Sequence, residues 1–143
     1  MPVRNGAAVL DLGCGTGLEL DCYFRLNPSA RVTAIDLSEC MLATLKEKFP
    51  ERAITVIQGS YFDVPFEKNH YDAAVSVESL HHFTKEAKTS LYKKIFQALA
   101  AGGSFILTDY FAQTEDDENF FREELQRLKA EQGINDHAFY HYD

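Results

Sequence analysis

The chain has 143 residues, 45% hydrophobic and 25% charged, which suits one domain with a buried core. Its formal net charge of −8 speaks against a nucleic-acid partner, whose phosphates call for clustered Lys and Arg. No apolar run is long enough to cross a bilayer and Met1-Pro2-Val3-Arg4 is unlike a signal peptide, so no membrane partner is expected.

In chain order, the hydrophobic pattern predicts a strand at residues 7–12 and a helix at 18–26, which Asn27-Pro28 ends. A second strand, rich in β-branched residues, covers 31–36. Ser38 caps a helix at 39–49 with Met41, Leu42 and Leu45 on one face, and Pro50 stops it. A third strand at 53–57 leads into an irregular stretch through Pro65, and a fourth strand covers 73–77. Thr84 caps a helix to about residue 100, with Leu91, Ile95 and Leu99 in register and Gly102-Gly103 ending it. Residues 104–109 form the fifth strand. A helix at 115–131 begins with acids, and Glu118–Arg122 and Glu123–Arg127 are spaced for i, i+4 pairing.

Strands alternating with helices imply right-handed βαβ units and a parallel sheet covered on both faces. Ligands of such sheets bind beyond the carboxyl ends of the strands. Asp11, Asp36, Glu78 and Asp109 fall at those ends and are expected to line one rim. Lys46, Lys48, Lys93 and Lys94 lie on helix faces beside acids and read as solvated surface. Cys14, Cys22 and Cys40 have neither disulfide-frame nor Cys-x-x-Cys spacing, which points to the cytoplasm. His137 and His141 have the i, i+4 spacing of a helical metal pair. They lack the Glu of His-Glu-x-x-His and a third ligand, so no metal is expected.

Residues 9–17, Val-Leu-Asp-Leu-Gly-Cys-Gly-Thr-Gly, carry the most chemistry. An apolar strand running into glycines at alternate positions is a turn that lets backbone approach a ligand closely. Asp11 is an acid at the end of that strand, costly to bury unless a cationic group pairs with it. Asp36, 19 residues after Gly17, closes the second strand, where a carboxylate can accept both hydroxyls of a ribose. The plainer reading is an acid favoured by the next helix's N-terminus.

The 9–17 string resembles motif I, D-x-G-x-G-x-G, of the class I S-adenosylmethionine-dependent methyltransferases. The resemblance implies that Gly13, Cys14, Gly15 and Gly17 wrap the methionine end of the cofactor, with Asp11 near its amino group. In the NAD fingerprint G-x-G-x-x-G, the alternative, the third glycine comes one residue later than here. Residues 34–38 resemble motif II, which implies ribose contact by Asp36, with Leu37 beside it. Residues 58–66 are similar to the family stretch G-D-x-x-x-L-P-F. Ser60 stands where Asp is common, implying a weaker contact with the adenine amine. Tyr61 either packs on the purine face or, like Phe62, is core.

Residues 71–83 resemble motif IV and the L-H-H-F that follows it in small-molecule methyltransferases. The Asn-Pro-Pro-Tyr of amino-group methylases is absent, and Glu78 and Ser79 stand where the transferred methyl would lie. Glu78 is therefore counted as a cofactor contact and as a weak catalytic candidate. His81 is the other: a general base, or a hydrogen-bonded structural histidine.

The family fold has seven strands in the order 3-2-1-4-5-7-6, and this chain supplies five. The expected architecture is an α/β Rossmann-like three-layer sandwich with a mostly parallel sheet in the order 3-2-1-4-5, lacking the last two strands. Residues 1–110 would be the cofactor-binding core, truncated relative to the family, and 111–143 a helical segment opening a substrate-side insertion. The implied function is methyl transfer from S-adenosylmethionine to a small molecule by positioning for in-line attack. The alternative is a catalytically incomplete module that binds S-adenosylmethionine or S-adenosylhomocysteine. Without a seventh strand, residues 104–108 form a bare apolar edge beside Phe120, Phe121, Leu125 and Leu128, so a homodimer is expected. If the 115–131 helix folds back over the sheet, the chain is a monomer.

Overall fold

The structure, a computed structural model, describes residues 1–132. The described residues form five strands and four main helices in the order β1 (Ala8–Leu12), α1 (Leu18–Leu26), β2 (Arg31–Asp36), α2 (Glu39–Lys48), β3 (Ala53–Gln58), β4 (Tyr71–Val77), α3 (Lys85–Ala98), β5 (Leu99–Thr108) and α4 (Glu115–Gln132). A 3-10 turn, Leu80–His82, lies between β4 and α3. The strands form one sheet in the order β3-β2-β1-β4-β5, every neighbouring pair parallel. This is the expected Rossmann-like order.

Alternation along β1 splits the core between the two faces of the sheet. Leu10 and Leu12 pack with Leu91 and Ile95 of α3, while Val9 packs with Leu20 and Phe24 of α1 and Leu42 and Leu45 of α2. Both clusters exclude water, which supplies most of the drive to fold. Asp72, at the start of β4, receives Arg4 Nε at 3.0 Å and the Ala8 N–H at 2.8 Å, pinning the N-terminal segment to the sheet.

The structure corrects the reading around α3 and β5. The helix ends at Ala98, and Leu99 already pairs with Tyr71, so Leu99 belongs to the strand. Gly102 and Gly103 lie inside β5, at a register break opposite Tyr71 and Ala73. A Cβ on Gly103 would sit 2.9 Å from the carbonyl oxygens of Ala100 and Tyr71. The glycine pair thus accommodates a bulge and does not stop a helix.

Among the described residues β5 is the sheet's last strand. Beside it, Phe96 is 79% exposed, and Tyr92 and Phe96 border an open apolar hollow of about 500 Å³. Within α4, Arg127 pairs with Glu124 and Glu131, and Glu118 with Arg122. The expected Glu123–Arg127 pair gives way to these. No helix among the described residues is long and apolar enough to cross a membrane.

Candidate cofactor-binding site

The turn after β1 is suspended from β2. The N–H groups of Gly13 and Cys14 both donate to the Ile35 carbonyl, at 2.8 and 3.2 Å, and Gly17 N–H closes on the Cys14 carbonyl at 2.8 Å. Gly13, Gly15 and Gly17 all have positive φ, at 71°, 50° and 68°, a region that side chains disfavour. Their surroundings differ. A Cβ on Gly13 would lie 2.1 Å from Ser79 Oγ, and one on Gly17 would lie 2.4 Å from Leu45 Cδ1. On Gly15 it would meet only Met41 Sδ, at 3.6 Å. Gly13 and Gly17 are required by packing; a Cβ on Gly15 would make one ordinary contact.

Asp36 fastens this turn from the side. Its Oδ2 accepts from Gly15 N–H and its Oδ1 from Ser38 N–H, both at 2.8 Å. Ser38 in turn caps α2 by accepting from Met41 N–H at 3.3 Å. Each carboxylate oxygen keeps a second lone pair for a ligand hydroxyl. Leu37 and Met41, 67% and 47% exposed, flank Asp36 as an apolar border. Met41 therefore looks toward this turn and away from the core to which its helical register assigned it.

Asp11 lies beneath the turn and is 1% exposed. Its Oδ2 receives no hydrogen bond, nor does the buried Oε1 of Glu19 on α1. Burial, and then the adjoining Glu19 carboxyl and Asp36, raise Asp11 well above the usual carboxylate range. Burial, with the charges of Asp11, Asp36 and Glu19, also pushes the Cys14 thiol up. Among the described residues no Lys or Arg forms an ion pair with Asp11, Glu19 or Asp36. The site thus holds a local excess of negative charge under an open glycine, an arrangement that fits a cofactor bearing an ammonium group.

On the far side, the Ser60 hydroxyl accepts from Phe62 N–H at 3.2 Å and its carbonyl takes the N–H groups of Asp63 and Val64. Tyr61 is 7% exposed, its ring against Phe62 and Phe83 and its hydroxyl 3.0 Å from Ser79 Oγ. Burial pushes its phenol up to about 12. Both Tyr61 and Phe62 pack in or against the core. Lys94, read from sequence as solvated surface, donates to the carbonyls of Tyr61 and Phe62 at 2.9 and 2.7 Å and clamps this segment to α3.

The acids expected on one rim separate by role. Glu78 is exposed at the carboxyl end of β4, with φ of 48° although it is not glycine. Such strain concentrates at functional sites and is invisible in the sequence. Asp109 instead turns inward, its side chain 2% exposed. It accepts from the N–H groups of Leu80 and His81 at 2.8 and 3.0 Å and pairs with the His81 ring. His81, 4% exposed, is held through Nδ1 in this bracket. His137 and His141 lie outside the described residues, among which no cluster could hold a metal ion.

A methyltransferase-domain family matches residues 9–103. The chain is 37% identical over 106 residues to a demethylmenaquinone methyltransferase of Lactococcus lactis, covering 71% of this chain and 41% of that protein. It is 28% identical over 113 residues to a tRNA (carboxymethyluridine(34)-5-O)-methyltransferase of Arabidopsis thaliana, covering 78% and 26%. A solved S-adenosylmethionine-dependent methyltransferase from Mesorhizobium loti superposes with a TM-score of 0.67 at 29% identity, over 78% of this chain and 49% of that one. The chain spans less than half the length of each of these three proteins. Strand order, glycine turn and family match agree: the chain belongs to the class I S-adenosylmethionine-dependent methyltransferases.

Proposed function

We propose that this chain binds S-adenosylmethionine across the glycine turn and directs methyl transfer to a small-molecule acceptor beyond the ends of β1 and β4. The observation that carries this reading is the open face of Gly15 above the donorless carboxyl of Asp11, with Asp36 fastened beside it. Gly13, Cys14, Gly15 and Gly17 would present backbone to the methionine end, and Asp11 would face its amino group. Asp36 and Leu37 would hold the ribose side. Ser60 would border the adenine, with the enclosed Tyr61 as the wall behind it.

The cofactor supplies an activated methyl group; the protein's part is to hold an acceptor in line at about 3 to 3.5 Å and to exclude water. Of the two side chains considered for catalysis, Glu78 is the exposed one and the one on strained backbone. We assign Glu78 to the methyl-transfer face and His81, which is 4% exposed, to structure.

The net charge of −8 and Val77-Glu78-Ser79-Leu80 in place of Asn-Pro-Pro-Tyr favour a small acceptor over a nucleic acid. Residues 1–110 would be the cofactor-binding core and 111–143 the opening of an acceptor-side segment. Three unpaired cysteines fit a reducing compartment such as the cytoplasm. A methyl-transfer assay over quinols, acids, amines and tRNA tests the acceptor; turnover of tRNA alone would overturn this choice. Titration with S-adenosylhomocysteine and NAD side by side tests the cofactor, and tighter NAD binding would overturn it.

A second reading is a module that binds cofactor without turnover, built on the five parallel strands of the described residues with β5 at the sheet's edge. Binding without transfer to any acceptor would support it. The same edge, with Phe96 exposed beside it, supports a homodimer in which two copies cover one another.

A further inference from the structure

Lys93 and Lys94 are neighbours on α3 with different surroundings. Lys93 is exposed, whereas Lys94 is half-buried and carries its ammonium to the segment after β3. That segment is one tight turn. The Ser60 carbonyl accepts from Asp63 and Val64 N–H, both at 2.9 Å, and the Ser60 hydroxyl accepts from Phe62 N–H at 3.2 Å. The next two carbonyls, of Tyr61 and Phe62, accept from Lys94 Nζ at 2.9 and 2.7 Å. A cation on the last carbonyls of a turn satisfies groups that the turn itself leaves open. The Phe66 ring, 4.2 Å from the same ammonium, adds a cation–π contact.

The turn so held borders the candidate site. Gly59 N–H donates to the Asp36 carbonyl at 2.9 Å, and the Tyr61 hydroxyl lies 3.0 Å from Ser79 Oγ, the atom that a Cβ on Gly13 would strike. Ser60 is thus flanked by a tie to the end of β2 and a tie toward the glycine turn, and Lys94 fixes the same turn from α3. We propose that Lys94 is a positioning residue for base recognition: it sets the turn so that the Ser60 hydroxyl accepts from the adenine amine. The inference rests on the cofactor-binding reading and extends it. Ser60 Oγ spends one lone pair on Phe62 N–H and keeps the other for a ligand donor.

The probes are S-adenosylhomocysteine and its analogue in which hydrogen replaces the adenine amine, titrated calorimetrically. The wild-type protein should prefer the amine form by about two- to tenfold, the scale of one hydrogen bond. Lys94→Met keeps the stem without the donors and should bring that ratio close to one. Lys94→Arg, which can donate to both carbonyls, should retain most of it. A clamp with a structural role alone would lower thermal stability and weaken both ligands by the same factor, so an unchanged ratio in Lys94→Met overturns the proposal. Should Lys94→Met fail to fold, Lys94→Gln, with one amide to donate, takes its place and should lose part of the ratio; an unchanged ratio there overturns it too. In a Ser60→Ala background the Lys94 substitution should change the ratio no further, and a further change would mean that Lys94 does not act through Ser60. A wild-type protein that binds both compounds equally overturns the proposal and leaves the cofactor reading standing. If it binds neither, the cofactor reading falls and the proposal with it.

Discussion

Gly15 donates its backbone N–H to Oδ2 of Asp36 at 2.8 Å, tying the middle of the glycine turn to the end of the second strand. The same carboxylate fixes the entry to α2 through Ser38 N–H. Asp36 is therefore both a candidate ribose acceptor and the brace of the turn above the methionine site. Asp36→Ala should weaken S-adenosylhomocysteine binding by ~1.5–3 kcal/mol, about ten- to 150-fold. Asp36→Asn, which keeps one acceptor oxygen, should lose less. Calorimetry reads both, and wild-type affinity in Asp36→Ala would remove the carboxylate from the ribose.

The three glycines of the turn should respond differently to the same substitution. Gly15→Ala has room, since only Met41 Sδ lies within 4 Å, and should cost about 1–2 kcal/mol of backbone strain while blocking the cofactor. Gly15→Val should abolish binding with the fold retained. Gly13→Ala drives a Cβ into Ser79, so it should destabilise more, and Ser79→Gly should recover part of that loss. Urea denaturation alongside ligand binding separates the two behaviours. Equal loss of stability at Gly13 and Gly15 would contradict the assignment.

Asp11 should make the free protein less stable as pH increases. A carboxyl raised in the folded state holds its proton to a higher pH than in the unfolded chain. Stability is then lost as pH climbs from the ordinary carboxylate value through the raised one. Asp11→Asn should remove this contribution and stabilise the cofactor-free protein at neutral pH by on the order of 1–3 kcal/mol, at the expense of cofactor affinity. Urea midpoints at pH 5 and 7.5, compared between variant and wild type, isolate Asp11 from Asp72. Burial works against Asp72 as well, but its Arg4 and Ala8 bonds hold it below the usual range, so its slope has the opposite sign.

Glu78 carries strain that a glycine would relieve. Glu78→Gly should stabilise the fold by about 1 kcal/mol, less the added freedom of the unfolded chain, and should lower methyl transfer. Glu78→Gln keeps the strain and changes only the charge. A reduced kcat with S-adenosylhomocysteine affinity within a few-fold of wild type would place Glu78 on the transfer face. Unchanged kcat in both variants would remove it.

Light scattering at micromolar concentration should find a dimer that Phe96→Glu converts to monomer. Phe96, on α3, is 79% exposed, so its substitution should leave thermal stability of the monomer nearly unchanged. A stable monomer in the wild-type protein would mean that the β5 edge does not pair between copies.

The order of elements was legible in the sequence because each strand and helix carries its own period and its own punctuation. Asn27-Pro28, Ser38, Pro50 and Thr84 all mark boundaries where the structure has them, within about a residue. Ser38 and Thr84 cap as read, each accepting an N–H three residues on. Gly102-Gly103 misled because a glycine pair after a helix and a glycine pair in a bulge have the same local sequence. Only the carbonyls of Tyr71 and Ala100, crowding Gly103, tell them apart.

The site divides along the same line. The sequence by itself determined the glycine turn, the acid at the end of β2 and the family, since these depend on residue type and spacing within short segments. Tertiary structure decided which glycine is open and which is packed, and that Asp109 serves a hydrogen-bond bracket while Glu78 is strained and exposed. It also decided that Asp11 and Glu19 each bury a carboxylate oxygen without a hydrogen-bond partner and that Met41 faces the turn. Each of these depends on where a side chain from a different element comes to rest, and burial and charge at such a meeting point are properties of the packed chain, absent from any one of its segments.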